Sequence, residues 1–145
     1  MDSELIRELT NFAAERPAVS VLAQNEADEL RLRVANRFGF KDGQVWWWDN
    51  LPHGVRSLSY AAEAGGLSQL ARMLPETGAP LFLFVTDDEP PPWPCIVGPG
   101  PALAEMLGSQ RFFEYFIVNG DAEWILFDTH HNALLSLGNG LRLVD

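Results

Sequence analysis

Two clusters of side chains are of the types that do chemistry. The first is Asp87-Asp88-Glu89, which follows the apolar run Leu81–Val85 and precedes Pro90-Pro91-Pro92-Trp93-Pro94. Clustered carboxylates hold Mg²⁺, serve as a general acid–base pair, or meet basic side chains of a partner. In a surface loop, Asp also simply stabilises the turn. The second cluster is His130-His131, just behind Asp128. Adjacent residues on a strand point to opposite faces, so one imidazole can line a cleft while the other meets core or solvent. A zinc site needs three or four converging ligands. Asp128 shares a strand face with His130, and Asp87, Asp88 or His53 would have to join them from elsewhere. No His-x-x-x-His or His-Glu-x-x-His spacing is present. The spacing therefore favours a strand-end His bonded to the neighbouring loop, and no metal or other cofactor is expected.

Cys95 is the sole thiol. Beside a His and an acid, a thiol acts as a nucleophile. Its setting, Trp93-Pro94-Cys95-Ile96-Val97, is apolar and suits a buried small hydrophobe instead. A single cysteine excludes an internal disulfide and a cysteine zinc cage, and it fits a reducing compartment. Val97-Gly98-Pro99-Gly100-Pro101 has glycines like those of a phosphate loop. Pro99 and Pro101 remove two amide donors, and Leu103 stands where the dinucleotide fingerprint has its third glycine. It reads as the turn that starts a helix. Trp46-Trp47-Trp48 puts an indole on each face of a strand, one for the core and one near a cleft or interface. Trp93, held among prolines, is expected as a rigid exposed anchor. Trp124 follows a turn, with Tyr115 expected near it across the hairpin.

The elements that must position these residues follow from periodicity. Leu5, Ile6, Leu9, Phe12 and Ala13 give a helix over 3–15, started by Ser3 and closed by Pro17. Val19–Leu22 is a short strand or connector. Asn25 opens an acidic helix with Ala27, Leu30, Val34 and Phe38 on one face, and Gly39 stops it. The alternation Leu30-Arg31-Leu32-Arg33-Val34 also fits a strand, but the start and stop signals favour helix. Gln44–Trp48 reads as a strand, Asn50–Gly54 as a turn, and Tyr60–Ala64 as a helical piece or loop. Leu67–Leu74 is an amphipathic helix, and Leu81–Val85 a strand with no polar alternation, as in strands buried on both faces. A helix runs from Pro101 to about Gln110. From Arg111 to His131 two strands flank Asn119-Gly120, whose residues accept positive φ. Ala133–Leu137 and Leu141–Val144 add one or two closing strands. The expected fold is α+β, with helices packed on one face of a mainly antiparallel sheet and a C-terminal β-hairpin or meander.

At 145 residues the chain reads as a single α+β domain over 1–145. It carries 20 acids against 10 bases, a net charge of −10, and its only lysine is Lys41. Nucleic-acid binding needs clustered Lys and Arg. Nucleic acid is therefore excluded as a ligand, and an anionic membrane surface is disfavoured likewise. Acidic charge keeps a protein soluble, and it also speeds encounter with a basic protein partner. The N-terminus lacks the basic and apolar regions of a signal peptide. No apolar run approaches the ~20 residues that span a bilayer. A cytoplasmic location is expected.

Four segments between Val45 and Gly138 carry a resemblance. They are Trp46-Trp47-Trp48, Val85 to Pro94, Phe113 to Val118, and Trp124 to Asn132. In these the chain is similar to small acidic immunity proteins of bacterial polymorphic-toxin and secretion-associated systems. The resemblance implies a small cytosolic protein that binds and neutralises a cognate toxin. The surface expected to do so comprises Asp87, Asp88, Glu89, Trp93, Glu114, Tyr115, Trp124, Asp128, His130 and His131, with the carboxylates facing Lys or Arg of the toxin. The alternatives are a small hydrolase using Asp87 or Asp88 with His130 or His131, and an adaptor of a secretion apparatus.

Overall fold

Three runs, Leu81–Val85, Tyr115–Val118 and Trp124–Phe127, are apolar at every position. Strands of that kind must be covered on both faces, and this fixes the architecture. The structure is a computed structural model that describes residues 3–41, 43, 47–50, 56–59, 67–75, 78–110, 113–129 and 133–138. Its helices are α1 (Ser3–Glu15), α2 (Gln24–Phe38), α3 (Leu67–Met73) and α4 (Gly100–Ser109). Its strands are β1 (Ser20–Val21), β2 (Arg56–Ser59), β3 (Leu81–Val85), β4 (Cys95–Gly98), β5 (Tyr115–Asn119), β6 (Trp124–Thr129) and β7 (Ala133–Gly138). They form one seven-stranded sheet in the order β1-β4-β3-β5-β6-β7-β2. Every pairing is antiparallel. The fold is α+β, as the order of elements implied.

The helices do not share one face. α1, α3 and α4 place Leu5, Leu9, Leu70, Leu103 and Met106 against Leu83, Val85, Ile117, Leu126 and Leu134. On the opposite face α2 sets Ala27, Leu30 and Val34 against Phe84, Phe116, Ile125 and Phe127. The expectation of one-sided packing is thus corrected. Its cause is the period-two rule, since the second residue of each strand pair is as apolar as the first and needs a cover of its own.

α2 resolves the ambiguous alternation as helix. Leu30 and Val34 are buried while Leu32 and Arg33 face solvent. Arg31 is tied to Asp28 at 2.7 Å. Gly39 takes φ +80° and its amide donates to the Ala35 carbonyl at 2.8 Å, which ends the helix. The Trp triplet departs from expectation. Trp47–Asn50 is a 3-10 turn and not a strand, while Gln44, Val45 and Trp46 lie outside the described residues. Trp47 is in the core, stacked on Phe40 and Phe116 at 4.9 and 5.3 Å between centroids. The edge strand β2 had no sequence signal. Leu51–Gly54 of the expected turn, the segment Tyr60–Ala64 and the expected strand Leu141–Val144 lie outside the described residues. Among the described residues, no helix is long and apolar enough to cross a membrane.

The β5–β6 hairpin is present, but its turn works differently from the expectation. The positive φ falls on Ala122, at +53°, and not on Asn119-Gly120. The Ala122 amide donates to the Asn119 carbonyl at 3.1 Å. The Asn119 side chain accepts from the Glu123 amide at 2.8 Å and donates to the Glu123 carboxylate at 3.0 Å. Asn119 closes the loop through its side chain, the short-range bonding that makes Asn a turn residue.

Candidate functional site

Antiparallel pairing brings one end of β3, β4, β5 and β6 together. Phe84 is opposite Cys95, Val85 opposite Tyr115, and Tyr115 opposite Asp128. Asp87, Asp88 and Glu89 leave the sheet at that end, and Glu114 enters it there. The loop between β3 and β4 is held at several points. The Thr86 and Asp87 amides both donate to the Glu114 carbonyl, at 3.1 and 3.0 Å, and the Glu89 amide donates to Thr86 at 2.8 Å. The Trp93 indole N–H donates to the Glu89 carbonyl at 2.8 Å. The Gln24 side chain, from α2, donates to the Trp93 carbonyl at 3.1 Å. Asp87 and Asp88 adopt φ +38° and +62°, a region that Asp tolerates better than most residues. The result is a short acidic turn on a fixed backbone, with Asp88 exposed and Asp87 and Glu89 half-buried.

The indoles expected as surface anchors are inside. Trp93 is 1% exposed, edge-on to Trp47 and Phe116 at 5.1 and 5.6 Å. Trp124 is 2% exposed, and it pairs with Gly138. Proline neighbours stiffen the chain around Trp93, as expected, yet they aim its ring at the α2-side core. Neither indole can touch a partner on this surface. The expected Tyr115–Trp124 proximity is also corrected, because the register sets Tyr115 against Asp128.

Glu114 and Asp128 are 3% and 5% exposed, and Tyr115 is buried as well. The Tyr115 hydroxyl donates to Asp128 Oδ2 at 2.8 Å. A buried carboxylate is tolerated when it is hydrogen-bonded, so this pair acts as an internal brace between β5 and β6. Tyr115→Phe is expected to lower stability by about 1–3 kcal/mol, the range for leaving a buried hydrogen-bond partner unsatisfied. Urea denaturation checks it, and an unchanged midpoint would show that the bond contributes nothing. Of the expected binding surface, Asp87, Asp88 and Glu89 remain outward. His53, His130 and His131 lie outside the described residues. Among the described residues, no group of three or more His, Cys, Asp and Glu is placed to hold a metal ion.

Cys95 is fully buried, and burial pushes its thiol far above the ordinary range. A nucleophile must be a thiolate, so Cys95 is a core residue. Val97–Pro101 starts α4 as expected, with Pro101 in its first turn and Gly100 close against Leu74 and Leu81.

Nothing in the residue pattern signals a second surface at the far end of the sheet. There Phe82, inside an unbroken apolar run, stays only partly buried. It lines two concavities of about 490 and 560 Å³. The strand pattern that marks Leu81–Val85 as core cannot report where the covering helix stops.

No protein-family model, curated protein or solved structure matches this chain.

Proposed function

We propose that the protein is an inhibitor of the immunity type, which binds a basic bacterial toxin domain in the cytoplasm and neutralises it. The observation that supports this reading is the fixed backbone of the acidic turn 87–89, tied to Glu114, to Thr86 and to the buried Trp93. A preorganised loop loses little conformational freedom on binding, so more of its contact energy appears as affinity. Its carboxylates sit on a chain of net charge −10, and that charge accelerates encounter with a basic partner. In this reading Asp87, Asp88 and Glu89 touch the toxin, while Trp93, Glu114, Tyr115, Trp124 and Asp128 hold the frame beneath them.

Co-purification from the native bacterium supplies the partner. The double variant Asp87→Asn/Asp88→Asn should then associate about tenfold more slowly at low salt, with a flatter dependence on ionic strength, since losing charges at an interface acts mainly on the association rate. The unaltered rate and salt slope would remove the loop from the interface. Titration separates inhibition from catalysis: an inhibitor protects at a fixed molar ratio, whereas protection at trace amounts would support a hydrolase.

A further inference from the structure

We infer that the end of the sheet opposite the acidic turn carries a second docking surface, centred on Phe82, for a basic extended segment of a partner protein whose Arg side chain lies across the Phe82 ring. The inference does not depend on the loop 87–89. Phe82 stands in the middle of the sheet, opposite Val97 on one side and Val118 on the other. A large ring at such a position is normally covered, and α2 covers Phe84 one step along the same face. Phe82 packs against that core yet stays only partly buried, with its outer edge between two hollows. One is floored by Leu22 and Leu30, the other by Pro75, Pro80 and Leu81. Gly120 of the hairpin turn lies beside the ring, where a Cβ would meet Phe82 Cε2 at 3.5 Å, an ordinary contact.

Charge selects the occupant. The two hollows are rimmed by Glu26, Glu29, Asp121 and Glu123 against a single base, Arg33. Glu29 and Arg33 are four apart on α2, yet among the ion pairs of the described residues none joins them. A purely apolar partner would strip water from these carboxylates without replacing it. A guanidinium does both things the surface asks for: its plane stacks on the aromatic face, and its N–H fork reaches the carboxylates. At about 490 and 560 Å³ each hollow is large enough to admit a side chain. A segment crossing Phe82 can place one residue in each.

The test is NMR titration of the isotope-labelled full chain with the hexapeptide Arg-Val-Arg-Val-Arg-Val. The sequence Glu-Val-Glu-Val-Glu-Val and a neutral Ser-Val repeat serve as controls. Saturable shifts from the basic peptide at residues 26–33, 82 and 119–123 are expected. Phe82→Leu, which keeps an apolar residue of similar reach, should weaken binding at least fivefold, and Phe82→Tyr should retain it. Shifts confined to 86–89 would overturn the inference while leaving the proposed inhibitor surface standing. Equal binding of the neutral repeat would overturn it too, as would Phe82→Leu binding unchanged. A concentration-dependent dimer in sedimentation that buries Phe82 would assign the surface to a second copy, also against the inference.

Discussion

Gly138→Ala is expected to destabilise the protein by about 3–5 kcal/mol, in the range reserved for a backbone position that only glycine fills. Gly138 ends β7 opposite Trp124, at φ +90°. A Cβ at this position would lie 2.1 Å from the Glu123 carbonyl oxygen and 2.8 Å from Trp124 Cα. Both are backbone atoms where the chain enters β6, so no side-chain rotation relieves the overlap. The β6–β7 pairing must open at that end, beside the hairpin turn that abuts Phe82. Gly39→Ala is the matching control. Gly39 also has positive φ, +80°, but a Cβ there meets nothing within 4 Å. Its cost should be only about 1–2 kcal/mol, from the left-handed backbone alone. Urea denaturation of both variants measures the difference. Equal losses would show that the close approach of β7 to Glu123 is not rigid.

Trp93→Ala is expected to cost about 3–5 kcal/mol, as for other buried aromatics cut to alanine. The ring fills the α2-side core against Trp47 and Phe116, and its N–H holds the Glu89 carbonyl. Removing it empties a core site and frees the acidic turn at once. Faster amide exchange over 86–94 should accompany the lower denaturation midpoint. Trp93→Phe keeps most of the volume and loses only the hydrogen bond, so its loss should stay near 1–2 kcal/mol. An alanine variant of unchanged stability that nonetheless fails to bind the proposed partner would return the indole to the interface and contradict its burial.

These two variants mark where local pattern stops being informative. Trp93 sits in a stretch of four prolines and three acids, a context that says loop and, by extension, surface. The stiff loop is real, but whether its one aromatic points out or in depends on the hole between α2 and β5, residues far away in the chain. Glu114 and Asp128 are similar cases. Their types say exposed, whereas Glu114 leads into β5 and Asp128 lies in β6, both central strands, and Tyr115 meets Asp128 as a consequence of register.

α1, α2, α3, the strand Leu81–Val85, the hairpin strands, the α+β class and the acidic charge are all legible in the order of residues. All of these rest on periodicity, start and stop residues, or composition, which act within a few residues of each other. Even Gly39 as a helix stop was legible, because a left-handed residue after a helical face is a local demand. Long-range packing sets the rest: helices cover both faces, β2 completes the sheet, Trp47 lies in a 3-10 turn within the core, and Phe82 stays only partly buried. Each of these depends on which distant surface meets which face. Burial is a property of the pair of surfaces in contact, and a single strand carries only one of them.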